Sequence, residues 1–228
     1  NGAIIHYKAD KSSNKKIDLK LEAMRGVFVG TKQLFIHVRT VKEIKAAVLF
    51  AKNLNLENFV LVGANDAWRV ADFLAENEVP VVLNRLHRLP MRKSEDLDIA
   101  YKSAKILLDA GVLFCLDYEG DMERMGARNL PFTAGTSVAY GLSREEALMS
   151  ITLNAAKILK VDSSLGSLEQ GKDATLIVSE GDGAFIFKQA GTHTVEQLLK
   201  NGTCDKSLTQ TIEIEHNLLM EAPEIFTP

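Results

Sequence analysis

The sequence has no uninterrupted apolar stretch approaching the roughly 18 to 20 residues that a membrane-crossing helix needs, which argues against a membrane partner. Cysteine is nearly absent: Cys115 and Cys204 stand far apart, and Cys115 sits within an apolar run, where a free thiol behaves as a small hydrophobe. A disulfide is therefore not expected. Neither sign of charge dominates, since 27 basic and 30 acidic side chains leave a formal net charge of -3. Nothing in that balance draws the chain to nucleic acid, and a small-molecule substrate becomes the expectation. Gly63, Gly111, Gly120 and Gly141 lack the spacing of a phosphate-binding loop. The start, Asn1-Gly2-Ala3, carries neither an initiator methionine nor a signal-peptide pattern and reads as a cut end, leaving the compartment open between cytoplasm and bacterial periplasm.

What is present is an ordinary globular composition, 46% hydrophobic and 25% charged over 228 residues, long enough to bury a substantial core. After polar material at residues 8–16, Leu19, Leu21, Ala23 and Met24 mark a short helix. Residues 34–38 form an apolar run of strand length, and Thr40 with Glu43 matches a capping box that opens a helix whose inner face is Ile44, Ala47, Val48 and Ala51. The pattern repeats: a strand at 59–62, a turn in which Asn65 is suited to cap, and a helical face of Ala67, Val70, Ala71 and Leu74. A third strand at 79–83 leads through a loop containing His87 and Pro90 to a helix with Ala100, Ala104, Leu107 and Leu108 inward, ended by Gly111. A fourth strand follows at 112–116. Wholly apolar strands alternating with amphipathic helices predict parallel βα units covered on both sheet faces. Trp68 and Phe73 read as helix-packing residues, and Cys115 as core, with nothing beside it to activate a thiolate.

The fourth strand runs into a cluster of acids, Asp117, Glu119 and Asp121, the most chemically suggestive stretch of the chain. Beyond it, Ser143 and Glu146 form a second capping box, predicting one helix through Ala147, Leu148, Ile151 and Ala155 to about Leu159. A turn-rich segment at 166–173 precedes a strand at 174–178, and the tail reads as short β pieces around 185–187, 195–199 and 212–214. His193 and His216 lie in that tail and receive no role.

Four blocks in this order, Arg128 to Phe132, Ala139 to Leu148, Ile151 to Leu159, and Gly166-Ser167-Leu168-Glu169-Gln170-Gly171-Lys172-Asp173-Ala174, resemble the C-terminal half of the amidohydrolase superfamily, in particular its imidazolonepropionase-like members. The resemblance implies an α/β fold, the C-terminal half of a TIM (β/α)8 barrel over residues 1–160, followed at 161–228 by a mostly β appendage that is part of a small β-sandwich domain. It implies hydrolysis of a C–N bond in a cyclic amide, imide or small peptide-like substrate, by water activated on a divalent metal. Zinc is the leading candidate in the intact protein, with none as the alternative for this chain alone.

The resemblance also suggests site residues. His37, at the end of the first strand, matches a metal-binding histidine. A gap-free match places Glu119 at the family's metal-binding and proton-accepting aspartate, with Asp117, first after the strand, as the alternative. His87, after the third strand, is placed to meet substrate. No histidine follows the second strand, and the family's His-x-His pair and mid-barrel lysine have no counterpart. A whole barrel needs about 250 residues and eight strands, so the open barrel edge is expected to be covered by a missing N-terminal half or a dimer mate. The other function reading is a catalytically degenerate barrel serving as a binding or partner subunit.

Overall fold

A computed structural model describes residues 18–118, 127–173, 175–179, 191–198 and 208–214. Two short helices, α1 (Leu19–Ala23) and α2 (Arg25–Val29), precede the repeating part, and Gly30, in the left-handed region at φ 82°, ends the second. Strand β1 (Leu34–Val38) leads into α3 (Val41–Asn53), whose first turn carries the full capping box: the Thr40 hydroxyl accepts from the Glu43 amide and Glu43 accepts from the Thr40 amide. Its buried residues are Ile44, Ala47, Val48 and Ala51, the face the periodicity predicts.

Next come β2 (Phe59–Gly63), a 3-10 turn at Ala67–Val70 and the short helix α4 (Ala71–Glu76), then β3 (Val81–Asn84). The third strand starts later than its apolar run suggests, beyond Pro80, which cannot donate to the ladder. Helix α5 (Ile99–Asp109) closes on Gly111 at φ 78°, and β4 (Phe114–Asp117) follows. The four strands form one parallel sheet in sequential order, β1-β2-β3-β4. Parallel neighbours need a crossover, and each connection here supplies a helix.

After a 3-10 turn at Ala127–Asn129 come α6 (Leu130–Ala139), α7 (Arg144–Ile151) and α8 (Leu153–Ile158). The single helix expected from Ser143 to about Leu159 is two. The capping box at Ser143 is formed, but Thr152, at φ -127° and ψ -89°, leaves the helical region while its hydroxyl donates back to the Leu148 carbonyl. Such competition with the backbone ladder is how Thr bends or breaks a helix. A second, antiparallel sheet of β5 (Leu176–Ser179), β6 (Gly191–Leu198) and β7 (Leu208–Ile214) accounts for the tail that is described. It is a three-stranded sheet; the described residues do not make a sandwich. Residues 8–16, Glu119, Asp121, Phe185 to Phe187, Cys204 and His216 lie outside the described residues.

Period-two alternation sorts the parallel sheet into two faces. On one, Val38, Phe59, Leu61, Val81, Leu83, Phe114 and Leu116 pack into a core with Ile44 and Val48 of α3, Leu74 of α4 and Leu107 of α5. On the other, Val60 and Cys115 form a second cluster with Ile158 of α8, and Val82 and Ala155 pack against it. Helix α8 is held there by hydrogen bonds from Asn154 Nδ2 to the Phe114 carbonyl (3.0 Å) and from Gln33 Nε2 to the Ile158 carbonyl (2.8 Å). It therefore packs on this second face and reaches as far as the row of Val82 and Cys115.

Candidate functional site

The strand register sorts this second face into rows. His37 stands in line with Val62, Val82 and Cys115; one pleat further on, Asn84 stands beside Asp117. His37 and Asp117 thus occupy the same face, both at carboxyl ends, on the first and last strands of the sheet. With strands about 4.8 Å apart they are separated by about 14 Å across the sheet, and curvature into a barrel turns inward-pointing side chains toward a common axis.

His37 is exposed on β1, an edge strand among the described residues. Asp117 is half-buried, and its Oδ1 accepts from the Tyr118 amide at 2.7 Å, which orients the carboxylate along the strand end. Cys115, one step deeper, is buried, and desolvation, with the nearby Asp117 charge adding to it, pushes its thiol up to about 12. It is a packing residue with no thiolate at neutral pH. Asn84, 4% exposed, is the polar side chain nearest Asp117 in register. Sequence pattern did not single it out, because only the register shows that it shares the face.

His87 sits elsewhere. The β3–α5 loop carries it over the helical layer, where Nε2 lies 2.7 Å from the Thr136 hydroxyl of α6 and the ring tilts against Tyr101 of α5, itself stacked on Tyr140. Part of the ring still meets solvent, yet its packed side is desolvated enough to hold the imidazole below its ordinary pKa. The structure does not bring His87 into the row of His37 and Asp117.

The most elaborate polar arrangement at the carboxyl ends centres on Asp66, which pattern reading missed. Asp66 is 1% exposed. Its carboxylate takes both guanidinium nitrogens of Arg92 (2.9 and 2.6 Å) and the Val41 amide (3.2 Å). Arg92 also donates to Glu95 at 2.5 Å, and Arg69 stands 3.5 Å from the same acid. Arg88 donates to the Asn65 carbonyl, while its Nε is buried without a partner among the described residues. The Arg92 hydrogen bonds hold the Asp66 carboxyl below its usual range against the opposing effect of burial, and raise Arg92 in return. Although Asp66 has almost no surface of its own, Arg92 is 39% exposed, so solvent still screens one side of the pair. Asn65 caps nothing; its carbonyl serves Arg88, and the turn before Ala67 has no side-chain cap. Phe73 packs against the core as expected, beneath the Lys45 cation at 5.7 Å, and Trp68 lies 5.3 Å from the Arg69 guanidinium.

Comparison with known proteins settles the family. The model of the amidohydrolase family matches residues 12–212. The chain belongs to that family. Similar proteins include the imidazolonepropionase of Thermoplasma volcanium, 32% identical over 109 residues, which is 47% of this chain and 27% of that protein. The imidazolonepropionase of Fusobacterium nucleatum is 27% identical over 104 residues, 45% of this chain and 25% of that protein. Among solved structures, an amidohydrolase from Thermotoga maritima superposes with a TM-score of 0.69 at 25% identity, covering 83% of this chain and 47% of that one. The matched segments are about a quarter of the curated relatives' length and about half of the solved amidohydrolase's. This amidohydrolase chain thus contributes four consecutive βα units to a barrel architecture.

Among the described residues, no three His, Cys, Asp or Glu side chains gather closely enough to hold an ion. His37 and Asp117 are single donors of the right type on the right face, and they do not by themselves make a site. No helix among the described residues is long and apolar enough to cross a membrane.

Proposed function

We propose that this chain forms the carboxyl-terminal half of the catalytic barrel of a metal-dependent hydrolase cleaving a C–N bond in a cyclic amide, imide or small peptide-like substrate. The observation that carries the reading is the placement of His37 and Asp117 on one face, at the carboxyl ends of the first and last of four parallel strands, in a chain similar to imidazolonepropionases. A divalent ion, zinc first, would supply a water of lowered pKa when bound. His37 offers an imidazole nitrogen in the barrel interior, and Asp117 or Glu119 supplies the carboxylate that binds metal or takes a proton from water. His87 remains the proposed substrate contact at the loop after β3, beside Thr136, and desolvation of its packed side lowers its pKa and so favours the neutral ring. The remaining ligands come from strands beyond β1, either an N-terminal half or a dimer mate, which also cover the open edge of the sheet.

A second reading, a degenerate barrel acting as a partner subunit, has its own observation. No histidine follows β2, and at Gly63, φ 89°, a Cβ would stand 2.9 Å from the Val38 carbonyl, so any side chain at that position would be strained. The two readings separate on hydrolysis of cyclic amides and imides by the full-length protein, with and without a chelator. Chelator-sensitive turnover supports the hydrolase, and inactivity toward the whole substrate class together with no metal uptake sinks it. This chain alone is expected to be inactive.

A further inference from the structure

The sharpest geometric constraint at the carboxyl ends is on the backbone that leaves β1. Two residues beyond His37, the Arg39 carbonyl accepts from the Asp66 amide at 2.9 Å; four beyond, the Val41 amide donates to the Asp66 carboxylate. One residue beyond His37, the Val38 carbonyl accepts from the Ala64 amide at 2.7 Å. The chain that makes these contacts is itself strained: Gly63 and Ala64 follow one another in the left-handed region, at φ 89° and 42°. For alanine that conformation is unfavourable and persists only when surrounding contacts over-determine it. Asp66, two residues on, supplies them, and its second grip, on Arg92, ties in the β3–α5 loop.

We propose that Asp66 is a positioning residue of the site, fixing the exit of β1 through Arg39 and Val41 and thereby aiming the His37 imidazole on the second face of the sheet. The functional part of this inference rests on the reading of His37 as a metal ligand; the geometric part does not. Three loops meet on one carboxylate with all its contacts internal, and Arg92, not Asp66, faces solvent. An acid that served only to solubilise the surface would have its own exposure and looser partners. Asp66 touches neither substrate nor the reacting atoms in this scheme; it acts through the backbone beside His37.

The test compares Asp66→Asn with Ile44→Val, a core change in α3 that lowers stability without touching the Asp66 contacts. Both are made in the full chain and read by imidazole carbon–proton NMR, with the His37 signal assigned through His37→Gln, and by amide exchange. Asp66→Asn is expected to shift or split the His37 signal and to speed exchange of the Val41 amide roughly tenfold, the factor expected from losing one charge-assisted hydrogen bond, while Ile44→Val leaves the His37 signal in place. An unmoved His37 signal in Asp66→Asn, or the same displacement in Ile44→Val, overturns the proposal. If Asp66→Asn does not fold, Arg92→Lys, which keeps the charge but loses the bidentate fork, is read by the same criteria. Cobalt(II) uptake by the full-length wild type is measured alongside: its absence counts against the hydrolase reading, whereas the His37 signal decides the positioning role independently.

Discussion

Replacing Gly166 with alanine tests how the most family-like block of the sequence holds the barrel face. Gly166 opens the Gly166-to-Ala174 segment and has φ 93°; a Cβ built on it would lie 2.5 Å from the Ala156 Cβ, 3.1 Å from the Leu153 Cα and 3.3 Å from the Thr152 carbonyl oxygen. All three belong to α8 or the residue before it, the helix whose Ile158 covers the second face of the sheet. Two costs follow. A left-handed alanine costs about 1–2 kcal/mol, and overpacking against a neighbour that cannot rotate away costs about 1–3 kcal/mol. Gly166→Ala is therefore expected to lower the unfolding free energy by about 3 kcal/mol, measured by equilibrium urea denaturation. Adding Ala156→Gly removes the nearest clashing atom but not the strained φ, so the double variant is expected to be less destabilised than the sum of the singles by about 1 kcal/mol or more. A Gly166→Ala protein within about 0.5 kcal/mol of wild type, or strict additivity in the cycle, would refute the claim that this glycine exists for close approach to α8.

Other consequences are smaller and equally direct. Thr40→Ala and Ser143→Ala each remove the hydroxyl half of a formed capping box and are expected to cost about 1 kcal/mol each, read from denaturation midpoints. Because Asp66 has its folded pKa depressed, the stability it contributes is fully present above its unfolded pKa of about 3.9 and is lost as pH falls through the lower folded value; acid titration of wild type against Asp66→Asn should show the two curves converging at low pH. His87 is likewise depressed, by desolvation, so its NMR titration midpoint should fall below about 6.5, and stability should drop as pH descends through that range; a midpoint at or above the ordinary value contradicts the packed ring. Cys115, with its thiol pushed up to about 12, should resist thiol reagents at pH 8 until the protein is unfolded, with mass spectrometry as the readout.

Much of the fold is legible in the chain because its signals are local. The face Ile44, Ala47, Val48 and Ala51 is a helical stripe, both capping boxes span four residues, and Gly111 stops α5 as a left-handed glycine should. What is not legible depends on contacts that are distant in sequence. Asp66 and Arg92 are 26 residues apart and share no periodicity, so nothing in the pattern joins them or reassigns the turn from Asn65. The break at Thr152 arises because apolar spacing continues smoothly across a residue whose hydroxyl takes the helix's own carbonyl. The candidate site is only half legible: strand ends carry His37 and Asp117, but β-strands apolar on both faces do not say which face these two share. That answer needs the register and the docking of α8 on Val60 and Cys115. His87, placed by its loop at the proper end of a strand, turns out to be engaged with Thr136 and Tyr101 in the helical layer.

The measurement that bears most directly on the hydrolase reading is the divalent metal content of the full-length protein, by elemental mass spectrometry after exhaustive dialysis, compared between wild type and His37→Ala. The account predicts stoichiometric metal in the wild type and its loss, with loss of chelator-sensitive hydrolysis, in the folded variant. Metal retained unchanged in His37→Ala would contradict it.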